Sequence, residues 1–242
     1  MPRHVFCDRH TGSIHPQLAR SACGCRRWRR SSAATEGAAR SRRTKADARY
    51  SRAMEARAER VGVEAYLRMD AEAEGKLELL NGVVVAMAGA SPRHNLIVTN
   101  TATALTNALH GGACLVMTQD QRVRVEATES YVYPDVVVIC DEPRFDTSAR
   151  PATLLNPSAV IEVLSESTID HDLGTKLGHY RQIPSVDEVL FVHTETRAAT
   201  LVTRQHDGSW KLVDSGPEGS VTVAGVALSL DTLYARTDDL PV

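Results

Sequence analysis

The chain predicts a mixed α/β (α+β) fold: a twisted central sheet flanked by helices, with extra strands at the C-terminal end. Short apolar runs rich in β-branched residues recur along it, notably Val136 to Ile139 and Ala159 to Leu164, each bounded by Pro, Asp, Asn or Ser. Segments with helical spacing and capping residues alternate with these runs, the clearest opening at Ser91-Pro92. An apolar content of 43% over 242 residues suits one sizeable domain plus extra material. No stretch approaches the roughly 20 apolar residues that span a bilayer.

The chain opens on a basic leader. Residues 1–53 carry 13 Lys or Arg against 3 Asp or Glu, so the net charge of −2 conceals +10 here and −12 in the remainder. With R-R-W-R-R at 26–30, R-S-R-R-T-K at 40–45 and little apolar periodicity, the leader reads as unstructured. It also lacks the apolar centre of a secretory signal. Three roles compete for it. It can be an arm gripping nucleic acid through counterion release. It can be a zinc site of Cys7, His10, His15, Cys23 and Cys25, although paired C-x-x-C spacing is missing. The reading favoured here is sequence upstream of a start at Met54, because the globular pattern begins just after it, giving a domain over 54–242.

From Val63 to Met69 the pattern suits a short amphipathic helix. Asn81-Gly82 then marks a type I′ hairpin between two strands, with Glu78 alternating with Leu77 and Leu79 on the first arm. Ser91 and Pro92 supply the cap and first position of a helix to about Leu109, stopped by Gly111-Gly112, with His94 in its first turn. Ala113 to Thr118 and Gln121 to Val125 read as strands around a tight Gln119-Asp120 corner. In the second, Val123 and Val125 alternate with Arg122 and Arg124. Those arginines suit the wet face of a strand, and they also suit a DNA backbone. Residues 141–157 form a polar, Pro-containing link whose length fits a flap or substrate loop. Further strands follow at Glu188 to His193 and Ala199 to Thr203. An Asp207-Gly208 hairpin leads to Trp210 to Val213, then a last apolar strand region and a helix from about Asp231 to Arg236.

Of the five cysteines, Cys114 and Cys140 fall in or beside strands, where Cys is commonly a small buried hydrophobe, and a reducing, cytoplasmic setting fits. No internal repeat, P-loop, dinucleotide fingerprint or G-x-S-x-G elbow is present.

Each of the two central apolar runs carries one acid: Asp135 opens the first, and Glu162 lies between Ile161 and Val163 in the second. A Pro-Asp before a strand is ordinarily a turn, and a single strand Glu ordinarily faces water. A carboxylate inside a buried strand needs a partner or a metal. If the strands are neighbours, the acids can converge and offer two hard oxygen ligands, which suits Mg²⁺ or Mn²⁺. Lys176 shifts the balance. Asp172 can cap a helix running to Tyr180, on which Lys176, Leu177 and Tyr180 fall at helical spacing, so an ammonium can return over the acids. Asp, Glu and Lys around one point form a phosphodiester-hydrolysing constellation.

The order Pro134-Asp135, Glu162-Val163-Leu164-Ser165, Asp172, Lys176 and Tyr180 resembles the PD-(D/E)XK nuclease superfamily. Within it the chain looks most like the Uma-type restriction endonucleases of bacteria. Glu78 to Gly82, Ala86 to Gly89, Ser91 to His94 and Tyr133 to Asp135 fit as well, so the likeness covers about residues 58–236. One departure is Leu164, which stands two residues after Glu162 where the superfamily has Lys. Lys176 resembles a lysine moved to the following helix.

The resemblance implies a restriction-endonuclease-like fold and a metal-dependent endonuclease acting on DNA. It implies Mg²⁺ or Mn²⁺ on Asp135, Glu162 and the Val163 carbonyl, with Lys176 as the catalytic lysine. Glu78 becomes a third carboxylate at the site, and His94 a phosphate-binding or orienting group. Arg93, Arg122, Arg124 and Lys176 together would make a local basic strip. Two rivals stay open: a binding or regulatory module that keeps the fold without turnover, favoured by the −12 charge of the globular part, and a hydrolase of small phosphodiesters. A homodimer would suit double-strand cutting, since two equivalent sites cut two strands.

Overall fold

The alternation of inward and outward residues along the strands settles the layering. In the computed structural model, which describes residues 60–87, 89–165 and 172–242, the central sheet holds six strands in the order β12-β11-β10-β9-β6-β3. These are β3 (Leu115–Thr118), β6 (Val136–Ile139), β9 (Ala159–Leu164), β10 (Glu188–His193), β11 (Ala199–Arg204) and β12 (Trp210–Ser215). Only β9 and β10 run parallel; the other pairs are antiparallel. Every residue of β6 and β9 is buried, as expected of apolar runs covered on both faces.

One face of this sheet, presenting Val136, Val138, Ile161, Val163, Leu190 and Val192, packs against α2 (Pro92–Leu109) through Ile97, Val98 and Leu105. The hairpin of β13 (Ser220–Val223) and β14 (Val226–Ser229) and the single turn α4 (Leu230–Leu233) complete that side. The other face, presenting Val137, Ile139, Val160, Leu164, Val189 and Phe191, packs against a second sheet. That sheet is β2-β1-β5-β4-β8-β7, with β1 (Leu77–Leu80), β2 (Val83–Ala86), β4 (Val123–Val125), β5 (Ser130–Val132), β7 (Phe145–Asp146) and β8 (Thr153–Leu154). Its inner face supplies Leu80, Val123, Val125, Val132 and Leu154, and its outer face, with Leu79 and Tyr131, is covered by α1 (Val63–Glu72) through Tyr66.

Local chemistry behaves as the sequence suggests. The Ser91 hydroxyl accepts from the His94 N–H at 3.1 Å and Pro92 starts α2. The hairpin turn takes φ of 51° at Asn81 and 84° at Gly82, the left-handed pair a type I′ turn needs.

Several expectations need correction. The strands on either side of Gln119-Asp120 do not pair with each other, since β3 joins the central sheet and β4 the second one. The 141–157 link is no free flap: it contributes β7 and β8, and Leu154 is buried in the core between the sheets. Cys114 and Cys140 are not separate thiols but a disulfide at S–S 2.09 Å, placed where the β3–β6 register runs one step past Leu115 and Ile139. The C-terminal helix is a single turn from Leu230 to Leu233. The leader at 1–53 lies outside the described residues. No helix among the described residues is long and apolar enough to cross a membrane.

Candidate active site

Acids and one buried lysine gather where β6 begins and β9 passes its midpoint. The two strands are antiparallel neighbours with Val136 opposite Ile161, so one further step sets Asp135 across from Glu162. Their backbones are thus one strand spacing apart, about 4.8 Å. The Asp135 carboxylate accepts the Val163 N–H at 2.8 Å, joining it to the residue after Glu162. It takes the amide donor that β6 no longer engages.

Glu162 alternates with Ile161 and Val163, so it points to the face shared with the second sheet. Placing a carboxylate there requires compensation, and the turn after β9 supplies it. Asp172–Lys176 forms a wide π-helical turn that leads into α3 (Leu177–Tyr180). The Lys176 ammonium, on a side chain only 7% exposed, lies 3.3 Å from Glu162 Oε1 and 3.1 Å from Glu78 Oε1. One turn later the Tyr180 hydroxyl donates a short hydrogen bond to Glu162 Oε1. Glu78 comes from β1 of the second sheet, on the same inner face as Leu80, and accepts the Tyr133 N–H at 2.9 Å. Lys176 therefore bridges two acids from two sheets and offsets part of their buried charge.

His179 ties down the helix that carries this lysine. Its ring pairs with the Thr128 hydroxyl at 2.9 Å and the Asn81 amide at 3.4 Å, so α3 is anchored to the turn that ends β1. His94, reached from the first turn of α2, sets Nε2 3.3 Å from Asp135 Oδ2. Burial is the largest influence on its pKa and pulls it down, but the hydrogen bond and charge of Asp135, with contacts to Asn95 and the Val163 backbone, outweigh it and raise it above the usual 6.5.

The basic strip does not assemble as expected. Arg122 is fully buried beneath α1, with its guanidinium held by Asp70 at 2.7 Å, the Thr153 hydroxyl at 2.9 Å and the Pro151 carbonyl at 2.6 Å. Asp70 also accepts from the Tyr133 hydroxyl and the Leu77 N–H. Arg122 is thus buried in an ion pair, because α1 covers the face that the sequence alone leaves wet. Arg124 shares that face, over the Tyr131 ring. Arg93 turns to the C-terminal segment: its N–H donates to the Pro241 carbonyl and its charge reaches the Tyr234 phenol.

Sequence reasoning passed over Lys76 and Gln119. Lys76 keeps the strand alternation of Glu78 and Leu80, a signal that was legible. Gln119 had none until β3 paired with β6, which sets its N–H on the Asp135 carbonyl at 2.9 Å and its side-chain amide 3.4 Å from Asp135 Oδ1.

A six-stranded mixed sheet with acids on its central strands, α2 along one face and a second sheet on the other, defines a mixed α/β protein of the restriction-endonuclease-like class. The Uma2 family, described as "Putative restriction endonuclease", matches residues 63–232, and the chain belongs to it. Two proteins of Synechocystis sp., both described as uncharacterized, are similar. Protein sll1609 is 33% identical over 149 residues, 62% of this chain and 84% of that one. Protein slr1290 is 31% identical over 173 residues, 71% of this chain and 90% of that one. A crystal structure titled as a putative nuclease of DUF820 from Anabaena variabilis shares the fold, with a TM-score of 0.57 at 15% identity, covering 73% of this chain and 99% of that one.

Proposed function

We propose that this chain is a divalent-metal-dependent endonuclease that hydrolyses phosphodiester bonds of DNA. The observation that carries the reading is the juxtaposition of Asp135 with the Glu162-Val163 step on neighbouring strands, beside a lysine buried between two acids. Membership of a family described as "Putative restriction endonuclease" supports it.

The donor set fits a hard cation. Asp135, Glu162 and the Val163 carbonyl would hold Mg²⁺ or Mn²⁺ through oxygen alone. Among the described residues no three His, Cys, Asp or Glu side chains form a ready-made cage. Mg²⁺ keeps several waters and takes one or two carboxylates together with substrate phosphate, so two acids and one carbonyl are donors enough for it. Such an ion supplies a polarised phosphate oxygen and a bound water of lowered pKa.

The chain's own groups do the rest. Lys176 faces the site from the turn that leads into α3, where its fixed ammonium offsets charge that develops on the phosphorane and orients the attacking water; because it is held in advance, little reorganisation is needed. Glu78 holds that ammonium in register and offers a third carboxylate to a water or a second ion. Tyr180 fixes the Glu162 carboxylate by donating to it, and His94 does the same for Asp135. A homodimer belongs to this reading when both strands are cut.

The test is plasmid nicking by the purified chain with Mg²⁺, Mn²⁺ or EDTA, alongside a small phosphodiester. Metal-dependent conversion of supercoiled plasmid is expected, and it should vanish in Asp135→Asn and Glu162→Gln with circular dichroism unchanged. Cleavage retained by both folded variants refutes the site. A wild type that binds DNA without cutting it under any metal points to a binding module, a reading the acidic globular part favours. Turnover of the small ester alone would indicate a hydrolase of small phosphodiesters.

A further inference from the structure

Lys176 is held between Glu78 and Glu162 at the reacting centre, so a phosphate flanking the scissile one needs a different cation. A second ammonium sits at the mouth. Lys76 precedes β1, on the same side of the chain as Glu78, and its side chain remains 32% exposed. Its Nζ donates to the Gln119 carbonyl at 2.8 Å and pairs with Asp120 Oδ1 at 2.6 Å, and it lies 5.7 Å from the centre of the Tyr133 ring. Gln119 stands directly across from Asp135, as the β3–β6 register and its bond to the Asp135 carbonyl require. Along the edge of the central sheet the order is therefore Gln119, Asp135, Glu162, and the Lys76 ammonium reaches Gln119 from the second sheet. Gln119 lies one strand spacing, about 4.8 Å, beyond the strand of the first acid.

We propose that Lys76 is a substrate-binding residue that grips a backbone phosphate next to the scissile one, while Asp120 holds its ammonium ready in the free protein. The inference rests on the nuclease reading and names where that site takes hold of its substrate. Asp120 suits the holding role because its side chain is 91% exposed, and an ion pair so open to water exchanges readily for a phosphate. A local cation also answers a difficulty of the whole. A globular part at −12 attracts DNA poorly, so each well-placed ammonium at the mouth weighs more.

The experiment measures binding of a short fluorescein-labelled DNA duplex by anisotropy over a series of NaCl concentrations, with EDTA present to prevent turnover. The full chain is compared with Lys76→Met, Lys76→Arg and Asp120→Asn. Lys76→Met should weaken binding about fivefold at low salt and flatten the slope of log K against log salt by about 0.9, the loss of one phosphate contact. Lys76→Arg should keep the wild-type slope. Asp120→Asn should bind as well as the wild type or more tightly, since it frees the ammonium. An unchanged affinity and slope in Lys76→Met overturns the proposal while leaving the nuclease reading intact. So does an Asp120→Asn as weak as Lys76→Met, which would make the pair a tether for the Gln119 corner. A wild type with neither salt-dependent binding nor cleavage removes the nuclease reading and this proposal together.

Discussion

Replacing Lys176 by Met keeps most of the aliphatic stem and removes the one charge that Glu78 and Glu162 share. Each of its contacts, at 3.1 Å and 3.3 Å, is worth about 5 kcal/mol at an effective dielectric of about 20. Desolvation of three charges takes back most of that gain, but the cost is already met in the folded protein, and removing only the ammonium leaves two buried acids facing each other. The expected loss is therefore about 3–5 kcal/mol, the range for breaking a buried ion pair from one side. Urea denaturation followed by circular dichroism reads it as a lower midpoint with an unchanged slope. Adding Glu78→Gln to the Met variant should recover about half of the loss, because it removes the repulsion between the two acids. If the Met variant stays within about 1 kcal/mol of wild type, the lysine does not hold the acids together. If it also cleaves within about tenfold of wild type, worth roughly 1.4 kcal/mol, it is not the catalytic lysine either.

His94 should titrate above 6.5 by NMR. Because its folded pKa is raised, its contribution to stability is complete below 6.5 and disappears as pH rises through the raised value; Asp135→Asn should move the midpoint down, leaving burial as the stronger influence. Arg122→Met should cost about 3 kcal/mol by stranding Asp70, yet leave cleavage per folded molecule unchanged, and a specific loss of DNA binding would restore Arg122 to the substrate surface. Reducing Cys114–Cys140, 26 residues apart, should lower stability by about 3.5 kcal/mol on the loop-entropy model, whereas free thiols alkylated without reductant would show that the bond does not form.

Much of the fold was legible because its determinants are local. Ser91 caps α2 through its own third neighbour, Asn81-Gly82 turns the chain within two residues, and the runs at 136–139 and 159–164 are apolar on both faces because both faces are covered. The same locality failed at 119–125. The period-two pattern of Arg122 and Val123 was read correctly, but which sheet would take β4, and that α1 would cover its outer face, depends on residues some fifty positions away such as Asp70.

The sequence by itself determined most of the element types, the family and the two acids, because an ionisable group inside an apolar run is conspicuous without any partner in view. Tertiary structure decided what those acids meet. A strand specifies which way each side chain points but not what stands opposite. Only the packing of one sheet on another could bring Glu78 to Lys176, set Gln119 beside Asp135 and bury Arg122, since those contacts depend on pairings far apart in the chain.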